Sequence, residues 1–154
     1  MPNQHIEPTL FTWVLVIFGA VTLLPLMLAQ LAILIRPESR PAKDILIGKG
    51  EDWRDKTHFR SAYGFAWSDW ALLVPLGVTG SIGVLLGQPW GYVLWSAAGT
   101  ISLYSNVVLW FIEREYVYPS CGPLAYYTYY WGFFILWGAT ALSYTAFRFS
   151  GLIM

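Results

Sequence analysis

Two carboxyl groups, Asp69 and Glu113, stand at the edges of long apolar runs, and they are the residues best placed to do chemistry. Ser102, Asn106 and Glu113 follow one another at steps of four and seven. On a helix they share one face of an element whose other faces suit lipid, and polar groups in hydrocarbon need a reason. Asp69 shares a stripe with Leu73, Leu76, Gly80, Gly83 and Gly87. The small-residue face of a membrane helix points at its neighbours, so both acids are expected inside a bundle near the same membrane surface. Further along, Tyr130, Phe134, Trp137, Ala141 and Tyr144 run down one face. An aromatic stripe opposite a pair of acids has the chemistry of a cation-stabilising site. Plainer readings stand beside this one. Asp69 suits a helix N-cap, Glu113 with Arg114 and Glu115 suits a lipid boundary, and the tyrosines from Tyr126 to Tyr130 suit an interfacial belt.

The elements that must position these groups are membrane helices. Of 154 residues, 56% are hydrophobic, 18% aromatic and only 12% charged, a composition outside that of ordinary soluble domains. Four segments, residues 10–35, 67–87, 90–112 and 124–147, are long enough to cross a hydrocarbon core, which takes roughly 20 helical residues. The expected fold is therefore an all-α integral membrane protein, a four-transmembrane-helix bundle forming one domain over residues 1–154. A polar loop, 36–66, holds most of the basic residues, with acidic ones interleaved. Gln88 and Pro89 leave room only for a tight antiparallel hairpin between the second and third segments. The basic loop and the turn after Glu113 share one side, with Arg148 alone on the other, so the positive-inside rule places both termini outside the cytoplasm. The membrane is the endoplasmic reticulum for a eukaryotic chain and the inner membrane for a bacterial one.

Zero formal net charge and the lack of a basic helix argue against nucleic acid as a partner. Cys121 is the only cysteine, so no internal disulfide and no cysteine-rich zinc site can form, and with only His5 and His58 a metal site would be mostly carboxylate. No metal and no cofactor are expected. The first apolar run is too long for the core of a signal peptide and reads as a retained helix. Within it Pro25 is expected to kink the helix, and Gln30 to hydrogen bond between helices. Gly77, Gly80, Gly83 and Gly87 offer a face for close packing, including a homodimer through it.

The second half resembles the EXPERA superfamily, which includes emopamil-binding protein, a sterol isomerase, and the sigma-two receptor. The resemblance rests on Asp69 followed by Pro75, the Gln88-Pro89 hairpin, the run Tyr104-Ser105-Asn106-Val107 leading to Glu113, Pro123-Leu124, and Trp137. It covers about residues 68–144 and is one of order and spacing. It implies a bundle with a sterol-sized pocket open to the bilayer, in which Asp69 and Glu113 are the acids and Trp137 the aromatic wall. Gln30, Ser102, Tyr104, Asn106, Tyr127, Tyr130 and Phe134 would line it. Moving a double bond by protonation and deprotonation needs one neutral carboxyl and one base, and two neighbouring buried carboxyls separate into those roles. A carbocation against Trp137 gains roughly 2 kcal/mol, and amphiphilic amines would mimic it. Asn106 stands where the isomerase has an acid, Gln30 where the family has an acid or histidine, and Phe134 where the isomerase has asparagine. These departures bear on isomerase activity more than on fold.

The expected function is thus a membrane protein with an intrabundle site for sterol or a related isoprenoid lipid, an isomerase if catalytic. A non-catalytic lipid-binding receptor and an accessory subunit of a larger membrane complex are the alternatives.

Overall fold

The computed structural model describes residues 5–114 and 128–152. Among these the chain is helical, with no strand. Helix α1 spans Leu10–Ile35, α2 Arg40–Leu46 and α3 Lys56–Ser68. A π-helical turn, Asp69–Leu73, carries α3 without a break into α4, Val74–Leu85. Helix α5 is Pro89–Glu113, and a second π-helical stretch, Thr128–Ile135, leads into α6, Leu136–Phe149.

Among the described residues, three helices are long and apolar enough to cross a membrane: Leu10–Ile35, the continuous Lys56–Leu85, and Pro89–Glu113. They mark an integral membrane protein. On α1, Leu10, Phe11, Trp13, Val14, Ile17, Val21, Leu24 and Leu28 all face outward, a surface that only lipid or another apolar partner can solvate.

Helix α1 begins where Thr9 and Thr12 cap each other reciprocally. It ends at Ile35, as the sequence predicts, with Arg36 as its C-cap. The second spanning helix differs from expectation. It starts at Lys56 and not near residue 67, so the polar loop is shorter than 36–66. The cause is local: Asp55 caps the helix, its carboxylate accepting from the Thr57 and His58 N–H groups at 2.7 and 2.8 Å. The residues that follow are polar enough to sit above the hydrocarbon. What remains of the loop is held by α2 and by Lys43, which pairs with Asp52 at 2.7 Å and Glu38 at 3.5 Å.

The π turn at Asp69 lies just before Pro75. Proline lacks an N–H and its ring crowds the carbonyl four residues back, and a widened turn relieves both. Here the Val74 N–H reaches back to the Asp69 carbonyl.

The α4–α5 hairpin closes through a Schellman motif. Gly87, at φ +67, donates to the Val84 carbonyl at 3.1 Å, and Gln88 donates to the Gly83 carbonyl at 2.9 Å. Pro89 then occupies the first turn of α5, where its missing N–H costs nothing.

Glycines set the helix crossings. A Cβ at Gly83 would lie 2.6 Å from the Gly91 Cα, and one at Gly138 would lie 2.7 Å from the Gly99 carbonyl oxygen. Thus α4 meets α5, and α5 meets α6, backbone against backbone. Gly77 packs on Leu23, Gly80 on Trp95, and Gly87 beside His5. The glycine stripe on which a homodimer was expected makes these contacts within the chain. The core beneath is Leu15, Leu73, Val84, Tyr92, Trp95, Ala98, Trp137 and Ala141.

Candidate functional site

Extension of α3 back to Lys56 decides the layout of the polar groups. Asp69 follows His58 by eleven residues, about three helical turns, so the two share a face about 16 Å apart along the axis. Each meets a different partner.

At the outer rim, His58 faces Glu113 on the last turn of α5, with Nε2 and Oε2 3.5 Å apart and both side chains buried. That separation is within reach of an ion pair but longer than a formed hydrogen bond. Glu113 Oε2 has no hydrogen-bond partner among the described residues. Trp53 closes the rim, its ring edge-on to the His58 imidazole with centroids 5.1 Å apart.

Deeper in, the Gln30 amide donates a short hydrogen bond to Asp69 Oδ2. Asp69 is 4% exposed and Gln30 6%. No lysine, arginine or histidine among the described residues forms an ion pair with Asp69, and Gln30 Oε1 has no hydrogen-bond partner. Asp69 also opens the π turn, a distortion common at functional sites.

Between the two levels runs the predicted stripe of α5. The Asn106 amide donates to the Ser102 carbonyl at 2.9 Å, and the Ser102 hydroxyl donates to the Phe134 carbonyl at 3.1 Å. The acceptor belongs to the second π stretch, so both π-helical irregularities border the polar interior. Ser102, Asn106, Phe134 and Glu113 are all buried, as their spacing predicts.

Compared with known protein families, characterised proteins and solved structures, the chain matches none.

Three expectations need correction or relocation. Asp69 and Glu113 do not share one site: they lie three turns apart, so neither tunes the other by like-charge repulsion at contact range. The expectation of one level came from starting the second helix near residue 67. Trp137 is not a wall beside the acids. Its indole N–H donates to the Leu15 carbonyl at 3.1 Å, its ring lies against Gly19, and Trp95 meets it edge-on with centroids 6.3 Å apart. Leu15 and Gln30 are about four turns apart on α1, so Trp137 belongs to a deeper floor. Tyr104 points outward, 71% exposed. It is two residues from both Ser102 and Asn106, a step that puts a helical side chain on the opposite face. Tyr127 lies outside the described residues, and Tyr130 is described only in its backbone.

His58 is the residue that sequence reasoning missed. The available signal was the Asp55 cap followed by His58, Ala62, Phe65 and Asp69 at helical spacing. Among the described residues no group of three or more histidine, cysteine or acidic side chains comes together to hold a metal.

Proposed function

We propose that this chain is a four-helix, EXPERA-like membrane bundle that binds an amphiphilic lipid, a sterol or related isoprenoid, through Asp69. One observation carries the reading: a buried carboxyl group answered by a neutral amide and by no cation. Burying an ionised carboxylate costs several kcal/mol unless charge or hydrogen bonds compensate it. A hydroxyl donor or an ammonium head arriving at Asp69 supplies what Gln30 alone does not. The open Gln30 Oε1 beside it offers an acceptor to the same head group. Amphiphilic amines belong to this ligand class for the same reason.

The fourth span is the continuous helical run from Thr128 to Phe149, long enough at about 30 Å to complete the bundle. With the basic loop beside Glu113 at one end, both termini lie outside the cytoplasm.

Binding is favoured over isomerisation by the separation of the acids. A proton donor and acceptor working on one double bond must both reach it within hydrogen-bonding range, and about 16 Å is too far. A second reading keeps an isomerase at the rim, where Glu113 and His58 stand as two proton-transfer groups side by side. The accessory-subunit reading has no observation of its own.

Mass spectrometry of lipids co-purifying in detergent, followed by incubation in deuterated water, separates these readings. A bound isoprenoid lipid without deuterium uptake, lost in Asp69→Asn, is the expected result. Deuterium in a bond-shifted product, lost in Glu113→Gln, selects the isomerase. No bound lipid, with amine binding unchanged in Asp69→Asn, refutes both.

A further inference from the structure

The opposite end of the bundle holds a second set of polar groups that the described residues answer only in part. Arg148, on the last turn of α6, is only 8% exposed. Its Nη2 donates to the Glu7 carbonyl. Its Nε and Nη1 are buried without a hydrogen-bond partner among the described residues, as are the Tyr92 hydroxyl and the Thr145 hydroxyl. Thr145 lies one turn before Arg148, and the guanidinium sits over the Tyr92 ring, 5.9 Å from its centroid. No carboxylate among the described residues pairs with it. Glu7 lends its backbone carbonyl, and its side chain is exposed.

A guanidinium cannot shed its proton to escape burial. A cation–π contact returns roughly 2 kcal/mol, less than the several kcal/mol that an unpaired buried charge costs. Its unpartnered N–H donors suit an oxyanion, and two hydroxyls without a partner among the described residues stand close by. The height also fits. Arg148 is level with the α4–α5 turn, where the Ile6 N–H donates to the Gly87 carbonyl at 2.8 Å. This is the end of the apolar helices, the depth of phospholipid phosphates.

We infer that Arg148, with Tyr92 and Thr145, forms a site for a phosphate-type oxyanion at the membrane boundary, filled by the headgroup phosphate of a phospholipid. The site is independent of Asp69, at the far end of the helices.

The test is native mass spectrometry of the full chain exchanged from detergent into phosphatidylglycerol, with titration calorimetry against inorganic phosphate as a separate arm. The parent retains a phospholipid that Arg148→Gln retains about tenfold less well, and Tyr92→Phe and Thr145→Val weaken retention about threefold. Binding of inorganic phosphate without lipid retention, lost in Arg148→Gln, keeps the oxyanion site but overturns the lipid as its source. Equal retention by parent and Arg148→Gln, with phosphate bound by neither, overturns the site. If Arg148→Gln does not fold, as read by circular dichroism, the two hydroxyl variants decide, and parent-like retention in both overturns it.

Discussion

At the scale of single residues, the two acids pose different problems. Asp69 accepts a hydrogen bond from Gln30 across helices, and a double-mutant cycle with Asp69→Asn and Gln30→Leu should give a coupling energy of about 1 kcal/mol in thermal unfolding. Zero coupling would mean that the short hydrogen bond between them carries no stability. Glu113 is an open partner of His58, so Glu113→Gln should change stability less than Gln30→Leu does. In the loop, the Lys43 ammonium and then the Trp53 N–H hold the Asp52 carboxyl below its ordinary range. Because the folded value is lowered, its contribution is present above the unfolded pKa of about 3.9 and disappears as pH falls through the folded value. Lys43 is raised by Asp52, so its contribution is complete below its unfolded value of about 10.4 and is lost as pH rises through the folded one. Amide exchange of residues 48–54, corrected for intrinsic rates, should therefore be flat between pH 5 and 9 and rise below about pH 4. The stripe of Ser102, Asn106 and Glu113 was legible because a period of 3.6 survives any detail of packing. His58 was not, because its partner depends on how far a polar stretch continues a helix, and Tyr104 was misplaced because a resemblance outweighed its own spacing.

At the scale of elements, glycine governs the approach of the helices. Gly138→Ala puts a methyl 2.7 Å from the Gly99 carbonyl oxygen, and with backbone on the other side nothing flexible can yield. A loss of about 1–3 kcal/mol is expected, read as a lower melting temperature in detergent. Gly64→Ala is the control, since a Cβ there meets nothing within 4 Å. If both variants melt alike, the α5–α6 crossing is looser than its geometry implies. The ends of α1 and the tight hairpin were legible, since caps and the Gly87-Gln88-Pro89 sequence are local signals. The π turns were not, for their cause lies in how Pro75 and the neighbouring helices share a few unpaired carbonyls.

At the scale of the whole molecule, the proposed fourth span makes a topological prediction. In a Cys121→Ser background, Glu51→Cys and Gly151→Cys should react with an impermeant maleimide from opposite faces of the membrane. Labelling of both from one face would remove the even-span arrangement on which the bundle rests. The composition made the membrane legible at once, whereas the layering of polar groups emerged only when antiparallel helices set the levels against one another. The contacts that seal the bundle also carry a meaning for its biogenesis. The Leu15 carbonyl accepts from Trp137, the Thr9 and Thr12 hydroxyls share hydrogen bonds with the Tyr144 hydroxyl at 2.6 and 2.8 Å, and the Glu7 carbonyl accepts from Arg148. Helix α1 is thus latched by α6, across more than a hundred residues of chain. Contacts so distant in sequence form late, so α1 waits in the bilayer, only partly engaged, until α6 has been made. A nascent chain arrested before residue 137 would have every earlier helix and no clasp, a moment at which membrane quality control can still see inside it.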